Sequence, residues 1–159
     1  MAAIGGAAGL TSGTGCSIEN MLSLQEISDR LEIQQLMVDY STAIDSKEFD
    51  LLDKVFTPDA HIDYAVTGGT VGKFPEVKAW LAEVLPNFPA YQHLLGNFDV
   101  RVEGDSAKSR TMCFNPMVFN EEKQQVMLVG IWYEDEYVRT PDGWRIARRV
   151  EVMGFNKMI

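Results

Sequence analysis

The chain predicts an α+β domain: helices first, then a strongly curved, mostly antiparallel sheet wrapped around them, with an internal pocket. Three observations carry this. Apolar residues recur at helical spacing in the first third of the chain. Beyond Pro89 the pattern changes to short-period segments separated by EGD, NEEK and TPDG turns. A length of 159 residues with 46% hydrophobic content suits one sizeable core rather than two domains or a disordered chain.

Residues 1–20 are rich in Gly, Ala, Ser and Thr and read as a flexible lead-in, in part an expression scar, so that residues 21–159 form the single domain. They lack the basic start and apolar stretch of a secretory signal. TGC resembles the end of a lipoprotein cleavage site, but Gly13 stands where an apolar residue is wanted.

Structure is expected to begin at SLQE, where Ser23 caps a helix and Glu26 completes a capping box. Leu24, Ile27, Leu31, Leu36, Tyr40, Ala43 and Ile44 form its apolar stripe, which runs to about Asp45. DSKEFDLLDKVF restarts a short helix that Pro58 ends. HIDYAV reads as a short strand, TGG as a loop, and PEVKAWLAEVL as a third helix with Pro75 at its first position. Four strands follow, at about 91–103, 106–119, 124–139 and 143–155, as an antiparallel meander.

Charge narrows the partner. A formal charge of −9 and a pI near 4.6 argue against nucleic acid or an anionic membrane surface. No apolar run approaches the roughly 20 residues that cross a bilayer. A small hydrophobic molecule is the expected partner. Cys16 and Cys113 form neither a disulfide framework nor a metal-ligand spacing, which fits a reducing, cytoplasmic setting.

Period-2 logic places His93 with Leu95 and Asn97 on one strand face, and Thr111, Cys113, Asn115 and Met117 on another. Val129, Ile131 and Tyr133 share a face, as do Arg149, Glu151 and Met153. These faces mix apolar and polar groups as a pocket lining does, although Arg149 and Glu151 also fit a solvated face. A lone histidine among apolar residues is more often a core residue than a base. It becomes a base when a carboxylate fixes its tautomer and stabilises the imidazolium. Asp39, Asp45 and Asp63 are all available, and pattern does not choose between them. Alternation puts His61 on the face opposite Ile62 and Tyr64, toward solvent. Cys113 reads as a wall or core residue, and Trp80, Trp132 and Trp144 as packing.

Four pieces carry a family resemblance: AIDSKEFDLLDKVFTPDAHIDY, QHLLGN, VRVEGDSAKSR and YEDEYVRTPDGWRIARR. Together they make residues 24–155 similar to the SnoaL-like family within the nuclear-transport-factor-2-like superfamily. The resemblance implies a cone-shaped α+β barrel around a pocket. Within that superfamily the scytalone dehydratases and the hexachlorocyclohexane dehydrochlorinases pair an aspartate at the end of the first helix with a histidine. That pairing maps onto Asp45 and His93, with His93 as base. It also maps a strand tyrosine onto Tyr64 and an arginine that assists a departing anion onto Arg149. The dehydratases' second histidine falls near Met117 and their extra tyrosine at Ile44, while the dehydrochlorinases' lysine corresponds to Tyr40. The dyad is thus matched and each substrate-specific set is not.

The resemblance implies a lyase or isomerase working without metal or organic cofactor, with Tyr40, Tyr64, Asn115, Tyr133 and Arg149 about the substrate. It also implies a homo-oligomer, dimer or trimer, joined through the outer sheet face near Val150 and Val152. The rival expectation is a non-catalytic ligand-binding or assembly protein in which Asp45 and His93 merely support the wall.

Overall fold

The computed structural model describes residues 21–159; the expected lead-in, with Cys16, lies outside the described residues. Helix α1 spans Leu24–Asp45, and Ser23 caps it by accepting a hydrogen bond from the Glu26 backbone N–H. It closes in a Schellman motif: Glu48 N–H donates to Ala43 O and Lys47 N–H to Ile44 O, with Lys47 at φ 61°. A short 3-10 helix, Phe49–Lys54, leads into β1, Phe56–Asp63. β2 (Val71–Lys73) and α2 (Phe74–Val84) follow. The rest is β3 (Ala90–Tyr91), β4 (Leu94–Glu103), β5 (Ser106–Asn120), β6 (Gln125–Thr140) and β7 (Gly143–Met158).

The strands form one sheet in the order β2-β1-β7-β6-β5-β3, with β4 also paired to β5. All pairings are antiparallel except β1 with β7, where Ile62 lies beside Arg149. This is the expected α+β architecture: a curved, unclosed sheet with the helices against its concave side. Bulges between Gly130 and Ile131 and between Glu136 and Tyr137 locally increase the twist that bends it. At Gly130 a Cβ would run into the Phe155 ring, so any other residue there would have to push that half-exposed ring aside. Ile33, Met37 and Ile44 of α1 meet Phe56, Val77 and Ile146 in the core.

Several expectations are corrected. Leu36, Tyr40, Ala43 and Ile44 are buried as the stripe requires, but Leu24, Ile27 and Leu31 are exposed, whereas Asp29, Ile33 and Met37 face inward. Asp29 is buried because Arg139 donates to both its oxygens at 2.8 Å and Trp144 Nε1–H to Oδ1 at 3.1 Å. The Arg139 hydrogen bonds hold the Asp29 carboxyl down to about 2. The strand expected at His61 begins at Phe56, because Pro58 falls in the irregular stretch between Phe56 and His61, where β1's register on β7 shifts. Tyr64 lies just past β1, capping a 3-10 turn, and α2 begins at Phe74, one residue before Pro75.

The expected strand 91–103 is broken at Gln92 and His93. Asn97, with φ 48° beside a register shift, is exposed and does not share His93's face. Alternation fails there because the bulge adds a residue to one strand.

Candidate active site

The break between β3 and β4 is where the chain turns His93 inward. Asp45, the last residue of α1, holds it twice: Oδ2 accepts from the His93 backbone N–H at 3.0 Å, and Oδ1 lies 2.6 Å from ring Nδ1. One carboxylate thus fixes both the backbone and the ring. A proton on Nδ1, donated to Asp45, leaves Nε2 as the ring's acceptor nitrogen, the form a base requires. The rings of Tyr40 and Tyr91 flank the imidazole edge-on, with centroids at 6.2 and 6.3 Å. Tyr91 is tied down by its hydroxyl, which donates to Ile44 O at 2.9 Å. Nε2 meets the Asn115 amide nitrogen at 3.3 Å, while Asn115 Oδ1 is buried with no partner among the described residues.

His93 opens on a cavity of about 180 Å³. That is close to the roughly 150 Å³ that holds a single benzene-sized ring. Ile44, Trp80, Leu85, Phe88, Met117 and Met127 give it an apolar wall. Tyr40, Tyr64, Asn115, Tyr133 and Glu151 give it polar points. The Tyr40 and Tyr64 hydroxyls pair at 2.9 Å. Burial pushes both phenols up, and that of Tyr133 likewise, so each is a neutral donor at neutral pH. A wider depression of about 640 Å³ near Lys78 is an open surface groove with exposed ion pairs to Asp50 and Asp53. It has none of the enclosure a substrate site needs.

The structure therefore brings together His93, Tyr40, Tyr64, Asn115 and Tyr133 on one cavity, with Asp45 behind His93. Arg149 is not part of the lining. It is fully buried behind the wall, where Nε and Nη2 donate to Asp135 at 2.8 and 2.7 Å. Its guanidinium lies 4.0 Å from the Tyr40 ring centroid and 4.2 Å from that of Tyr133. The solvated-face reading of Arg149 is excluded by this burial. A charge this deep persists because its partner, Asp135, is equally buried. Cys113 is a core residue whose thiol burial pushes up to about 12. His61 is exposed, as alternation requires.

Sequence reasoning placed Glu151 on the right face but gave it no role. It lines the cavity opposite Tyr133 in the β6–β7 register. Burial is the main cause that pushes its carboxyl up to about 7, against lowering by Thr67 and Arg149. The signal available was its period-2 spacing from Arg149; Thr67, on a loop turn, had none.

Among the described residues, no group of three or more His, Cys, Asp or Glu side chains is placed to hold a metal ion. No helix among them is long and apolar enough to cross a membrane.

The model of the SnoaL-like domain family matches residues 25–150. An uncharacterized protein of Mycobacterium tuberculosis is 64% identical over 140 residues, covering 88% of this chain and 95% of its own. A crystal structure of a candidate aromatic ring hydroxylase of Novosphingobium aromaticivorans is 31% identical, with a TM-score of 0.75, over 84% of this chain and 94% of that one. A hexachlorocyclohexane dehydrochlorinase of Novosphingobium barchaimii superimposes with a TM-score of 0.73 at 21% identity, over 86% of this chain and 93% of that one. At that identity the last likeness speaks for the fold alone.

Proposed function

The chain belongs to the SnoaL-like domain family, and from that premise we propose that it is a cofactor-independent lyase or isomerase. His93 removes a carbon-bound proton from a small hydrophobic, ring-sized substrate, and Asp45 orients and stabilises the imidazolium. The observation that carries this is the Asp45–His93 pair opening onto an enclosed apolar cavity. The Nε2 on this space is held only by the Asn115 amide at 3.3 Å, a contact that a substrate can displace. Tyr40 and Tyr64 hold a substrate oxygen, and Asn115 meets the ligand with its unpaired Oδ1. Tyr133 completes the polar wall. Arg149 acts at one remove, by fixing the Tyr40 and Tyr133 rings from behind.

The test is elimination of acetate from β-acetoxycyclohexanone, an activated C–H acid of ring size, followed by enone absorbance. His93→Gln is expected to lower turnover about 100-fold or more, with the fold intact by circular dichroism. Wild-type turnover in that variant would sink the proposal and favour the second reading, a non-catalytic ligand-binding protein. That reading draws on the predominantly apolar wall.

We propose further that copies pair through the outer sheet face. There Met112, Trp132 and Val152 lie in one cross-strand row and Phe114 stacks on Phe155. Sedimentation should give a dimer or trimer at micromolar concentration that Trp132→Glu dissociates; a monomeric wild type contradicts this. A cytoplasmic setting remains part of the proposal.

A further inference from the structure

Glu151 has no part in proton abstraction by His93, yet it faces the same cavity. The geometry around it bears on where its proton sits. Thr67 Oγ1 lies 2.6 Å from Glu151 Oε2 and 3.0 Å from Tyr64 O. A hydroxyl carries one proton, and a backbone carbonyl can only accept. If both contacts are hydrogen bonds, the Thr67 proton goes to Tyr64 O and the Glu151 carboxyl must be the donor to Thr67. When Thr67 donates to Oε2 instead, Tyr64 O is still satisfied by the backbone N–H groups of Thr67 and Gly69 at 3.2 and 2.9 Å. Thr67 therefore accommodates the carboxyl with its proton on either oxygen. No hydrogen bond to Oε1 is present among the described residues.

The charged and titratable neighbours come from every packed element: Asp63 of β1, Cys113 of β5, Asp135 of β6, Arg149 of β7, Tyr40 of α1, Tyr133 of β6 and Tyr64 beyond β1. Arg149 gives two hydrogen bonds to Asp135 and none to Glu151, its Nη1 having no partner among the described residues, so it lowers the Glu151 carboxyl only through its charge. Burial thus dominates at Glu151 and favours the neutral acid.

We propose that Glu151 is the general acid of the site, protonating an oxygen leaving group while His93 takes the carbon-bound proton. This rests on His93 acting as base. It assigns the substrate class as molecules that lose a hydroxyl or alkoxyl group, whose oxygen departs poorly as an anion. In the step, His93 Nε2 takes the proton and the C–H electron pair becomes the new C=C bond. The C–O bond breaks, its electron pair stays on oxygen, and that oxygen takes the Glu151 proton. Water or an alcohol leaves. The imidazolium then releases a proton to solvent, and the Glu151 carboxylate regains one from solvent.

Two probes with a common product test this: β-hydroxycyclohexanone, which needs the acid, and β-acetoxycyclohexanone, whose acetate leaves unassisted. Glu151→Gln keeps the shape without a transferable proton. It is expected to slow hydroxide loss about 100-fold more than acetate loss, whereas His93→Gln slows both alike. Independently of turnover, the Glu151 carboxyl signal in carbon-13-glutamate-labelled protein should titrate near pH 7. It should vanish in Glu151→Gln and titrate higher in Thr67→Val, which removes the lowering hydroxyl. Equal slowing of both probes in Glu151→Gln, or a midpoint near the ordinary 4.5, overturns the acid role and leaves the base standing. Undiminished acetate loss in His93→Gln overturns the base reading instead.

Discussion

Asp45 stands where a carboxylate is unfavourable. It ends α1, whose last turn carries no basic residue, so its charge faces the negative end of the helix dipole. The two bonds it accepts from His93 offset that cost, and the field of the helix end adds to its pull on the ring proton. Asp45→Asn is therefore expected to lower turnover more than tenfold, because an amide can present its donor to Nδ1 and favour the wrong tautomer. Melting temperature should change by only a few degrees. Turnover within twofold of wild type would remove Asp45 from the mechanism. Arg149 poses the opposite problem. Arg149→Met leaves Asp135 buried without its partner and should destabilise by about 3–5 kcal/mol in denaturant titration. Neither assignment was fully legible beforehand. Alternation grouped Arg149 with Glu151 and Met153 but left open whether that face meets a pocket or solvent, and no local pattern could say that Asp135, fourteen residues away, would claim it at 2.7 Å.

At the scale of elements, α1 shows where periodicity misleads. The expected stripe holds at Leu36, Tyr40, Ala43 and Ile44, which are buried, but its first three members, Leu24, Ile27 and Leu31, are exposed, and Asp29, Ile33 and Met37 are buried instead. Two stripes compete over the first turns of this helix. The one that wins is set by Arg139 and Trp144, which arrive from the far end of the chain to neutralise Asp29. Leu31→Gln should then alter stability by less than about 0.5 kcal/mol, whereas Ile33→Ala should cost about 2–5 kcal/mol. A reversal of that order would mean that the Leu31 face is packed in solution. The long strands β5, β6 and β7 were legible because alternation and turn residues agreed over many positions. The β3–β4 break was not, since His93 leaves the ladder to reach Asp45, and that attraction acts across forty-eight residues.

For the whole molecule, the elevated Glu151 carboxyl ties stability to pH. A carboxyl near 7 when folded and near 4.5 when unfolded binds more proton in the native state between those values. Its contribution is fully present below about 4.5 and is lost as pH rises through about 7, a total of roughly 3 kcal/mol. Unfolding free energies at pH 5 and pH 8 should therefore differ less in Glu151→Gln than in wild type. An equal difference in both would place Glu151 in an ordinary carboxylate environment. The curved α+β architecture was readable from the order of helical and alternating segments. That such a sheet leaves a cavity was readable too, but its size was not, because it depends on how α1 and α2 close over the sheet.

The parallel pairing of β1 with β7 has a consequence for assembly of the chain. β1 ends at Asp63 and its parallel neighbour at Met158, so the first strand to be synthesised waits for the last. Long-range pairings of this kind are slow to form, since the intervening loop must be closed before any contact rewards it. On the ribosome, Ile62 can pair with Gly72 of β2 early but stays without its β7 neighbour until Arg149 has emerged from the exit tunnel. Until then one edge of the sheet is open to other chains, which makes nascent, C-terminally incomplete protein the form most prone to aggregate.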